Sequence, residues 1–561
     1  MEAVHITING EMYEIPAYIT VSTAIMYAKG ISSYRQTEDE EARAPVCQMG
    51  VCFDCTVHIY KKGRVRGCMI DVEEGMHITT SSVMMETGTN VVSEGKAPES
   101  SEVEASYDVA IIGAGPAGMG VADELSASHQ SVILIDEQKQ AGGQIYRQPF
   151  EKRGEVNPLV SKVEQHESID HCYGHAVWSI HAYTETDQIT SDPEQYAYFR
   201  LFMENYQTIL ARRVVLATGA YDRLIPMKGW TLPGVMSAGG IQVSLKTQMY
   251  LPGLSVFLAG SHPFLFVVAK MLVDAGVEVK GIAVAPSYKD LIKLSKHGSV
   301  MVKHRSKLHE LFGALRTLHK NHVPIWFDTV PQEIIGEGKV EVVKIRPGNK
   351  SSNQQKTIAC DLVGMCYGFT PVLDLAKQLG CRLERTSHGS RHVVVDSYQQ
   401  TSVKGVYAVG ELTKVGGAER SEADGRLLGG RWSQTEGANK KRQLHLKEKE
   451  KRKWDRFAGV LTDLELVAWK KDELTTFNDA QIVCRCENIS VKDIKETMNK
   501  DASPNELNTI KLETRCGMGL CQGKYCEESL YRLTKEILGK APKDTYFKGQ
   551  SPVKAITIRN L

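Results

Sequence analysis

The sequence predicts a multidomain protein of the α/β and α+β classes, and three features of its 561 residues lead to this prediction. Two compact groups of cysteines lie toward the two ends of the chain. Between them, apolar strands alternate with helical segments, which is typical of layered folds with parallel strands. One of these strands runs into a glycine-rich turn that opens a helix, a local structure that binds phosphate groups. The length suggests roughly three or four domains.

Composition and charge exclude several classes of protein. Charged residues make up 24% of the chain and hydrophobic residues 42%, and the formal net charge is +1. So small a net charge provides no field that would draw the chain to nucleic acid. The chain contains no apolar run of the ~18 residues that a membrane span needs, and no signal-peptide pattern. We therefore expect a cytoplasmic protein, with peripheral attachment to a membrane through a partner or acceptor as the alternative.

Changes in composition divide the chain into five segments. They are a first cysteine-containing domain (1–90), a linker (91–106), an α/β core (107–435) whose second dinucleotide fold covers about 230–355, a charged helical linker (436–480) and a last cysteine-containing domain (481–561). The first linker is acidic and poor in large apolar groups, so it cannot bury a core. The run KKRQLHLKEKEKRK in the second linker predicts a solvated helix, with a docking face for a partner as the alternative.

The first cysteine group consists of Cys47, Cys52, Cys55 and Cys68. The spacing is C-x₄-C-x₂-C followed by a twelve-residue gap and a fourth cysteine, which is the ligand spacing of a plant-type [2Fe–2S] cluster. A structural zinc site is the alternative, but zinc sites prefer pairs of C-x₂₋₄-C hairpins. Upstream, Asn9-Gly10 between two apolar runs predicts a hairpin. A hairpin, a helix and a cysteine loop in this order resemble the β-grasp ferredoxin fold.

A glycine-rich turn marks the candidate dinucleotide site in YDVAIIGAGPAGMGVADEL. Gly113 is placed for the tight turn, Gly115 lets the backbone approach a pyrophosphate, and Gly118 lets helix and strand pack closely. Pro116 and Ala117 open the helix, whose N-terminus faces the phosphate charge. The turn follows an apolar strand, which is the context in which the motif is informative.

An acidic residue follows at the expected place for a ribose contact. The next strand, SVILID, ends at Asp136, eighteen residues after Gly118, and Glu137 is the second candidate. These features alone do not distinguish FAD from NAD, and a non-catalytic assembly protein that binds ATP or ADP would use the same loop.

Further segments resemble the two-dinucleotide-fold flavoproteins, the group that contains thioredoxin reductase and glutathione reductase. The matching residues are Gly143 and Gln144 after the second strand, Thr218 and Gly219 in VVLATGA, and Gly410 and Glu411 in TSVKGVYAVGE. The resemblance implies that the bound nucleotide is FAD. It also implies that Glu411 hydrogen-bonds the ribityl chain of the flavin.

The second dinucleotide fold departs from the family pattern. Its glycine frame reads Gly260, His262, Leu265, and its next strand ends in IAVAP without an acid for a ribose. A side chain at His262 would crowd the approach of a pyrophosphate. We therefore expect no productive NAD(P) binding, which disfavours the alternative of a stand-alone NAD(P)H-dependent ferredoxin-type reductase. The fold also lacks the C-x-x-C pair of thioredoxin reductase chemistry.

The second cysteine group lies in IVCRCEN and TRCGMGLCQGKYC. These segments resemble the bacterioferritin-associated-ferredoxin-like (BFD-like) [2Fe–2S] domain. The resemblance implies four ligands, Cys484, Cys486, Cys521 and Cys526, with Cys516 as an extra thiol. A tetrahedral zinc site would satisfy the same thiolates, and Cys516 in place of Cys521 or Cys526 is a further alternative.

The order of these segments resembles the electron-transfer subunits of bacterial flavoprotein amine and imino-acid dehydrogenases. This family includes hydrogen cyanide synthase, octopine oxidase, D-hydroxyproline dehydrogenase and proline dehydrogenase, and the segments IDEQKQAGGQIYR and TRCGMGLCQGKYC are its most specific matches here. The resemblance implies that a partner flavoprotein of the D-amino-acid-oxidase type performs the substrate chemistry. It further implies FMN at the interface with that partner. We identify no catalytic acid–base constellation in this chain.

Overall fold

The computed structural model describes most of the chain. The described ranges are 3–37, 41–80, 105–147, 156–190, 192, 195–204, 207–347, 355–386, 389–433, 438–468, 477–499 and 505–556. The predicted linker 91–106 lies outside these ranges except for its last two residues. No helix within the described residues is long and apolar enough to cross a membrane.

The first cysteine-containing domain is built on a five-stranded sheet. Its elements are β1 (Ala3–Ile8), β2 (Glu11–Pro16), α1 (Val21–Lys29), β3 (Arg35–Gln36), β4 (Ala42–Arg43), β5 (Thr56–Ile59), β6 (Gly63–Arg66) and β7 (His77–Thr79), with 3-10 turns at Ile31–Ser33 and Gly67–Met69. The sheet order is β2-β1-β7-β5-β6, with β1 parallel to β7. The predicted hairpin is confirmed: β1 and β2 are antiparallel, and Asn9 and Gly10 adopt positive φ angles of 52° and 88°.

The first dinucleotide fold begins with the predicted strand, turn and helix. Its elements are β8 (Ala105–Ile112), α2 (Pro116–Leu125), β9 (Val132–Asp136), α3 (Gly143–Tyr146), α4 (Pro158–Glu164), β10 (Ile169–Tyr173), β11 (Val177–Tyr183), β12 (Tyr198–Met203), β13 (Thr208–Leu216) and β14 (Ala220–Asp222). Strands β10, β9, β8 and β13 form the parallel part of one sheet, and β12 and β11 extend it in antiparallel fashion.

The second dinucleotide fold has a parallel sheet of order β15-β22-β16-β17-β18. Its elements are β15 (Val235–Ser237), α5 (Ala238–Gln248), β16 (Ser255–Gly260), α6 (Phe264–Asp274), β17 (Glu278–Val284), α7 (Tyr288–Lys293), α8 (Gly298–Lys303), α9 (Arg305–Lys320), β18 (Ile325–Phe327), β19 (Val330–Ile335), β20 (Val342–Arg346), β21 (Lys356–Ala359) and β22 (Leu362–Cys366). Strand β22 pairs with both β15 and β16, so the sheet extends beyond the predicted end near residue 355.

The chain then returns to the first fold. The elements are β23 (Phe369–Pro371), α10 (Asp374–Gln378), β24 (Leu383–Arg385), β25 (Arg391–Val393), β26 (Val406–Ala408), a 3-10 turn at Gly410–Leu412, α11 (Ala418–Trp432) and α12 (Ala438–Ala468). Strand β26 joins the first sheet beside β13. The charge run forms the largely exposed first half of α12, while Trp454 and Ala458 in its second half are buried.

The last domain is small and mostly helical. It contains β27 (Ile482–Cys484), β28 (Ile489–Ser490), α13 (Val491–Met498), α14 (Leu507–Thr514) and α15 (Glu527–Leu538). After α15 the chain runs back to the first dinucleotide fold, where Val553 N donates to Trp178 O at 2.9 Å.

Both cysteine-containing domains pack against the start of the second dinucleotide fold. On one side, Ser237 N donates to Val46 O at 2.9 Å, next to the first cysteine loop. On the other, Trp230 Nε1 donates to Ile482 O at 2.7 Å, two residues before Cys484. This arrangement brings together two cysteine groups that lie more than 400 positions apart in the sequence.

Candidate redox site

The first cysteine loop has the features of a thiolate site. All four predicted ligands are buried, and Cys55 Sγ lies 3.3 Å from Cys68 Sγ. Cys47 Sγ accepts backbone N–H bonds from Val51 at 3.4 Å and Cys52 at 3.3 Å. Such bonds stabilise negative charge on sulfur, and thiolate is the ligand that iron–sulfur clusters require. The residues present therefore fit a cluster.

Five thiols converge in the last domain. Cys486 Sγ lies 3.4 Å from Cys521 Sγ, and the Sγ atoms of Cys484, Cys516 and Cys526 lie within 4.8 Å of one another. Cys516, expected as an extra thiol, is therefore beside two predicted ligands and not apart from them. It lies in the same buried cluster as Cys484 and apolar residues of α14, a contact that the spacing did not reveal.

The first glycine loop leaves room for a phosphate. Gly113 has a φ of +112°, and a Cβ there would lie 2.2 Å from Ala217 O. A Cβ at Gly118 would lie 1.9 Å from Gly113 O, which explains the close packing of helix on strand. At Gly115, by contrast, the nearest atom to a Cβ would be Gly143 Cα at 4.0 Å. Open space at the N-terminus of α2 is the cradle that a pyrophosphate needs.

Other predicted flavin residues meet around this cradle. A Cβ at Gly143 would approach Pro116 Cδ to 3.6 Å, and a Cβ at Gly410 would approach Ala117 Cβ to 2.7 Å. Thr218, followed by Gly219 with a φ of +71°, donates through Oγ1 to Val372 O at 2.8 Å. The structure thus brings the separated segments of the predicted site to one place.

Two buried polar atoms next to the loop also fit a bound ligand. Within the described residues, Gln144 Oε1 and Arg147 Nη2 have no hydrogen-bond partner. Leaving such groups unpaired is costly, so a polar ligand would stabilise them. Glu411, in contrast, accepts backbone N–H bonds from Gly416 at 3.2 Å and Gly417 at 2.8 Å.

The two candidate ribose acids differ in their contacts. Asp136 accepts backbone N–H bonds from Ala114 and Gln138, both at 2.7 Å, and burial raises its pKa to about 6. Burial would also raise the pKa of Glu137, but Lys554 and Arg66 lower it to about 2. A carboxylate oxygen accepts more than one hydrogen bond, so these backbone bonds leave Asp136 able to bind a ribose hydroxyl. The ribose contact of Asp136 stays a prediction.

The partners of Glu137 could not be read from its motif. Arg66 Nη1 lies 3.0 Å from Glu137 Oε2 and also donates to Gly50 O, inside the first cysteine loop. Lys554 reaches the same carboxylate from the end of the described chain. The end of β9 and the first cysteine loop are therefore joined by a partly buried charge contact.

The turn of the second dinucleotide fold carries a histidine side chain. His262 is partly buried, and its ring centroid lies 5.0 Å from that of Phe369. Burial lowers the pKa of His262 to about 4, so the ring is neutral near pH 7. Phe264 N donates to its Nδ1 at 3.2 Å, at the point where helix α6 begins. The ring occupies the position at which a dinucleotide turn needs glycine.

Three family models match the chain, and together they span most of it. The model of pyridine nucleotide-disulphide oxidoreductases matches residues 107–426. The chain belongs to this family. A 2Fe-2S iron-sulfur cluster binding domain matches residues 1–83, and a BFD-like [2Fe-2S] binding domain matches residues 482–536. The predicted fold class is confirmed, and the chain is an oxidoreductase with an FAD-binding domain and two [2Fe–2S]-binding domains.

Relatives and solved structures agree with this assignment. The chain is 29% identical to an opine oxidase subunit from Rhizobium meliloti over 481 residues, which cover 82% of this chain and 88% of the relative. It is 27% identical to the HcnB subunit of hydrogen cyanide synthase from Pseudomonas aeruginosa, over 76% of this chain and 92% of the relative. The structure of L-proline dehydrogenase from P. horikoshii shares the fold across 100% of this chain and 97% of its own, with a TM-score of 0.69 and 20% identity.

Proposed function

We propose that this chain is the electron-transfer subunit of a multi-subunit dehydrogenase or oxidase that acts on the C–N bond of an amino or imino acid. The proposal rests on one observation, which is that a single chain combines an open glycine loop, two buried cysteine groups and a second dinucleotide turn that carries His262. Such a chain can hold a flavin and two clusters, and His262 in place of a glycine disfavours nicotinamide binding at the second turn. The names of its relatives, which are subunits of an opine oxidase and a hydrogen cyanide synthase, support this proposal.

The residues fall into three groups by role. We assign FAD to the glycine loop, with Gly115 and Gly143 beside the pyrophosphate and Glu411 toward the ribityl chain. FAD, when bound, accepts two electrons and releases them singly to one-electron carriers. We assign the first [2Fe–2S] cluster to Cys47, Cys52, Cys55 and Cys68, and the second to Cys484, Cys486, Cys521 and Cys526. The chain itself supplies burial, thiolates and N–H donors.

The substrate side belongs, in this proposal, to another polypeptide. A flavoprotein of the D-amino-acid-oxidase type would oxidise a substrate of the proline, hydroxyproline, opine or sarcosine class, and this chain would pass the electrons to an acceptor. The absence of an acid–base constellation in the sequence supports this division of labour. FMN between the two chains stays a prediction, because it concerns an interface with the partner.

Co-expression with the cognate partner tests the proposal. The complex should reduce an artificial dye with an amino or imino acid, whereas this chain alone should not. Cys521→Ser should slow dye reduction without changing substrate affinity, since the substrate would bind the partner. Turnover of an amino acid by the purified single chain would contradict the proposal.

Metal analysis tests the cofactor assignment separately. Two [2Fe–2S] clusters require about four iron and about four sulfide per chain. Cys52→Ser should remove the first cluster and leave FAD bound, because the glycine loop contributes no thiol. Cys516→Ala is the matched control for the second site and should retain its cluster. Zinc without sulfide at the second site would refute half of the assignment.

A further inference from the structure

The two cysteine groups meet at a buried ion pair. Asp54 lies between Cys52 and Cys55, and Arg485 lies between Cys484 and Cys486. Arg485 Nε is 3.3 Å from Asp54 Oδ2, and the two side chains are only 3% and 2% exposed. One charged residue from inside each cysteine motif therefore contacts the other, across 431 positions of sequence.

Neighbouring groups hold this pair in place. Arg35 Nη2 lies 2.7 Å from Asp54 Oδ1. Arg485 Nη1 donates to Trp230 O at 2.6 Å, and its guanidinium lies 5.2 Å from the centre of the Trp230 ring. Arg485 and Arg35 both contact the Asp54 carboxylate, so its charge is paired from two sides.

Stability does not account for such an arrangement. Removing two charges from water is costly, and a buried ion pair can often be replaced by apolar side chains without loss of stability. The location of the pair, inside the two cysteine motifs, points instead to an effect on the charge of the metal sites. Cluster potentials respond to nearby charge and to solvent exposure.

A second contact joins the same two groups. Tyr525 precedes Cys526, is buried, and packs with Cys47 and Cys52 in one hydrophobic cluster. Its ring lies 5.5 Å from that of Tyr221. An aromatic side chain next to a cysteine of the second group thus packs against two cysteines of the first.

We propose that the Asp54–Arg485 pair holds the two cysteine groups in contact and sets the difference between the reduction potentials of the two clusters that they would hold, so that single electrons would pass directly between them. The inference rests on the two-cluster part of the proposed function and not on the partner. In each transfer one cluster would lose an electron and the other would gain it, with no bond formed or broken. Asp54, whose charge is partly offset by Arg35, would disfavour an extra electron on the first cluster, and Arg485 would favour it on the second. The pair would therefore favour electron flow from the first cluster to the second.

A redox titration of the purified full-length chain, followed by EPR and driven by a chemical reductant, tests this inference without any partner. Asp54→Asn should raise the potential of the first cluster, and Arg485→Gln should lower that of the second. Each variant should change the equilibrium constant for sharing one electron between the two clusters about tenfold. This corresponds to a shift of about 59 mV in the difference between their reduction potentials. The signals of the two reduced clusters should broaden each other in the wild type.

Controls separate an electrostatic role from a structural one. Arg485→Lys retains the positive charge and should restore most of the shift seen in Arg485→Gln. Asp71→Asn breaks an exposed pair with Lys139, 2.9 Å apart, and should leave both potentials unchanged. If Asp54→Asn fails to retain iron, the reduction potential of the second cluster in Arg485→Gln and Arg485→Lys tests the inference instead. Unshifted potentials, or reduced clusters without magnetic interaction, would overturn the inference.

Discussion

The two dinucleotide folds of this chain share a strand–turn–helix–strand layout and differ at the turn. In the first, Gly115 leaves open space whose nearest boundary is a backbone carbon 4.0 Å from the position of a Cβ. In the second, the corresponding turn holds His262, whose ring packs against Phe369. The same fold thus leaves room for a phosphate in one place and supports other domains in the second. His262 and the lack of an acid after β17 distinguish the second turn from the first.

The second fold has a structural task instead. A Cβ at Gly240, in the first turn of α5, would lie 2.6 Å from Val46 O, so the first cysteine loop rests directly on this helix. Trp230, just before β15, binds the last domain through Ile482 O. The second fold thus contacts both cysteine-containing domains and aligns the two cysteine groups.

The largest effect should come from blocking the open turn. Gly115→Val should abolish FAD binding, because a branched side chain would occupy the space of the pyrophosphate. His262→Ala, at the corresponding turn of the second fold, should retain FAD. Flavin absorbance after purification, followed by extraction and chromatography, measures both. Full FAD content in Gly115→Val would show that the motif is only structural.

The second comparison concerns nicotinamide input. Anaerobic mixing with NADH or NADPH should reduce the flavin more slowly than about 1 s⁻¹, the low end of typical turnover numbers. His262→Gly should not restore reduction, because β17 is followed by Ala285 and offers no acid for a ribose. Stopped-flow absorbance of the flavin is the measurement. Rapid reduction of the wild-type flavin would instead support the alternative of a stand-alone NAD(P)H-dependent reductase.

A buried carboxylate at the segment where the chain leaves the second dinucleotide fold should make the stability of the protein depend on pH. Glu465 of α12 lies against Gly368, between β22 and β23, and burial raises its pKa from 4.5 to about 7. The folded state then binds more protons than the unfolded state between these values, so this contribution to stability is lost as pH rises through about 7.

The matching variant is Glu465→Gln, which cannot ionise. Relative to this variant, the wild type should lose up to about 3 kcal/mol of unfolding free energy between about pH 4 and about pH 8. Urea denaturation at several pH values measures the difference. Parallel pH profiles for the two proteins would contradict the assignment.

The smallest expected effects are on stability, and they compare the contacts that the two dinucleotide folds make with the first cysteine-containing domain. Gln248 of the second fold accepts from Thr20 Oγ1 at 3.0 Å and is buried, so Gln248→Ala should cost about 1 kcal/mol. Asp71→Asn removes an exposed pair with the first fold and should cost less than about 0.5 kcal/mol. Thermal denaturation of the two variants ranks them. Equal costs would mean that both folds support this domain alike.

The local chemistry of this protein could be predicted from short stretches of its sequence. The spacing of Cys47, Cys52 and Cys55, the turn from Gly113 to Gly118 and the Asn9-Gly10 hairpin each lie within a few residues. Their geometry follows from which residues tolerate a positive φ or lack a Cβ, and from which side chains can bind metal. Such features survive in any fold that contains the segment, so they could be predicted without it.

How these local sites meet could be seen only in the folded structure. The approach of Cys516 to Cys484, the contacts of Glu137 with Arg66 and Lys554, and the pairing of Asp54 with Arg485 all join distant segments. No periodicity or spacing reports such contacts, because they depend on which faces of separately folded domains become buried against each other. A charged side chain that is buried between two domains requires a partner, and only the packing of the domains determines which residue provides it.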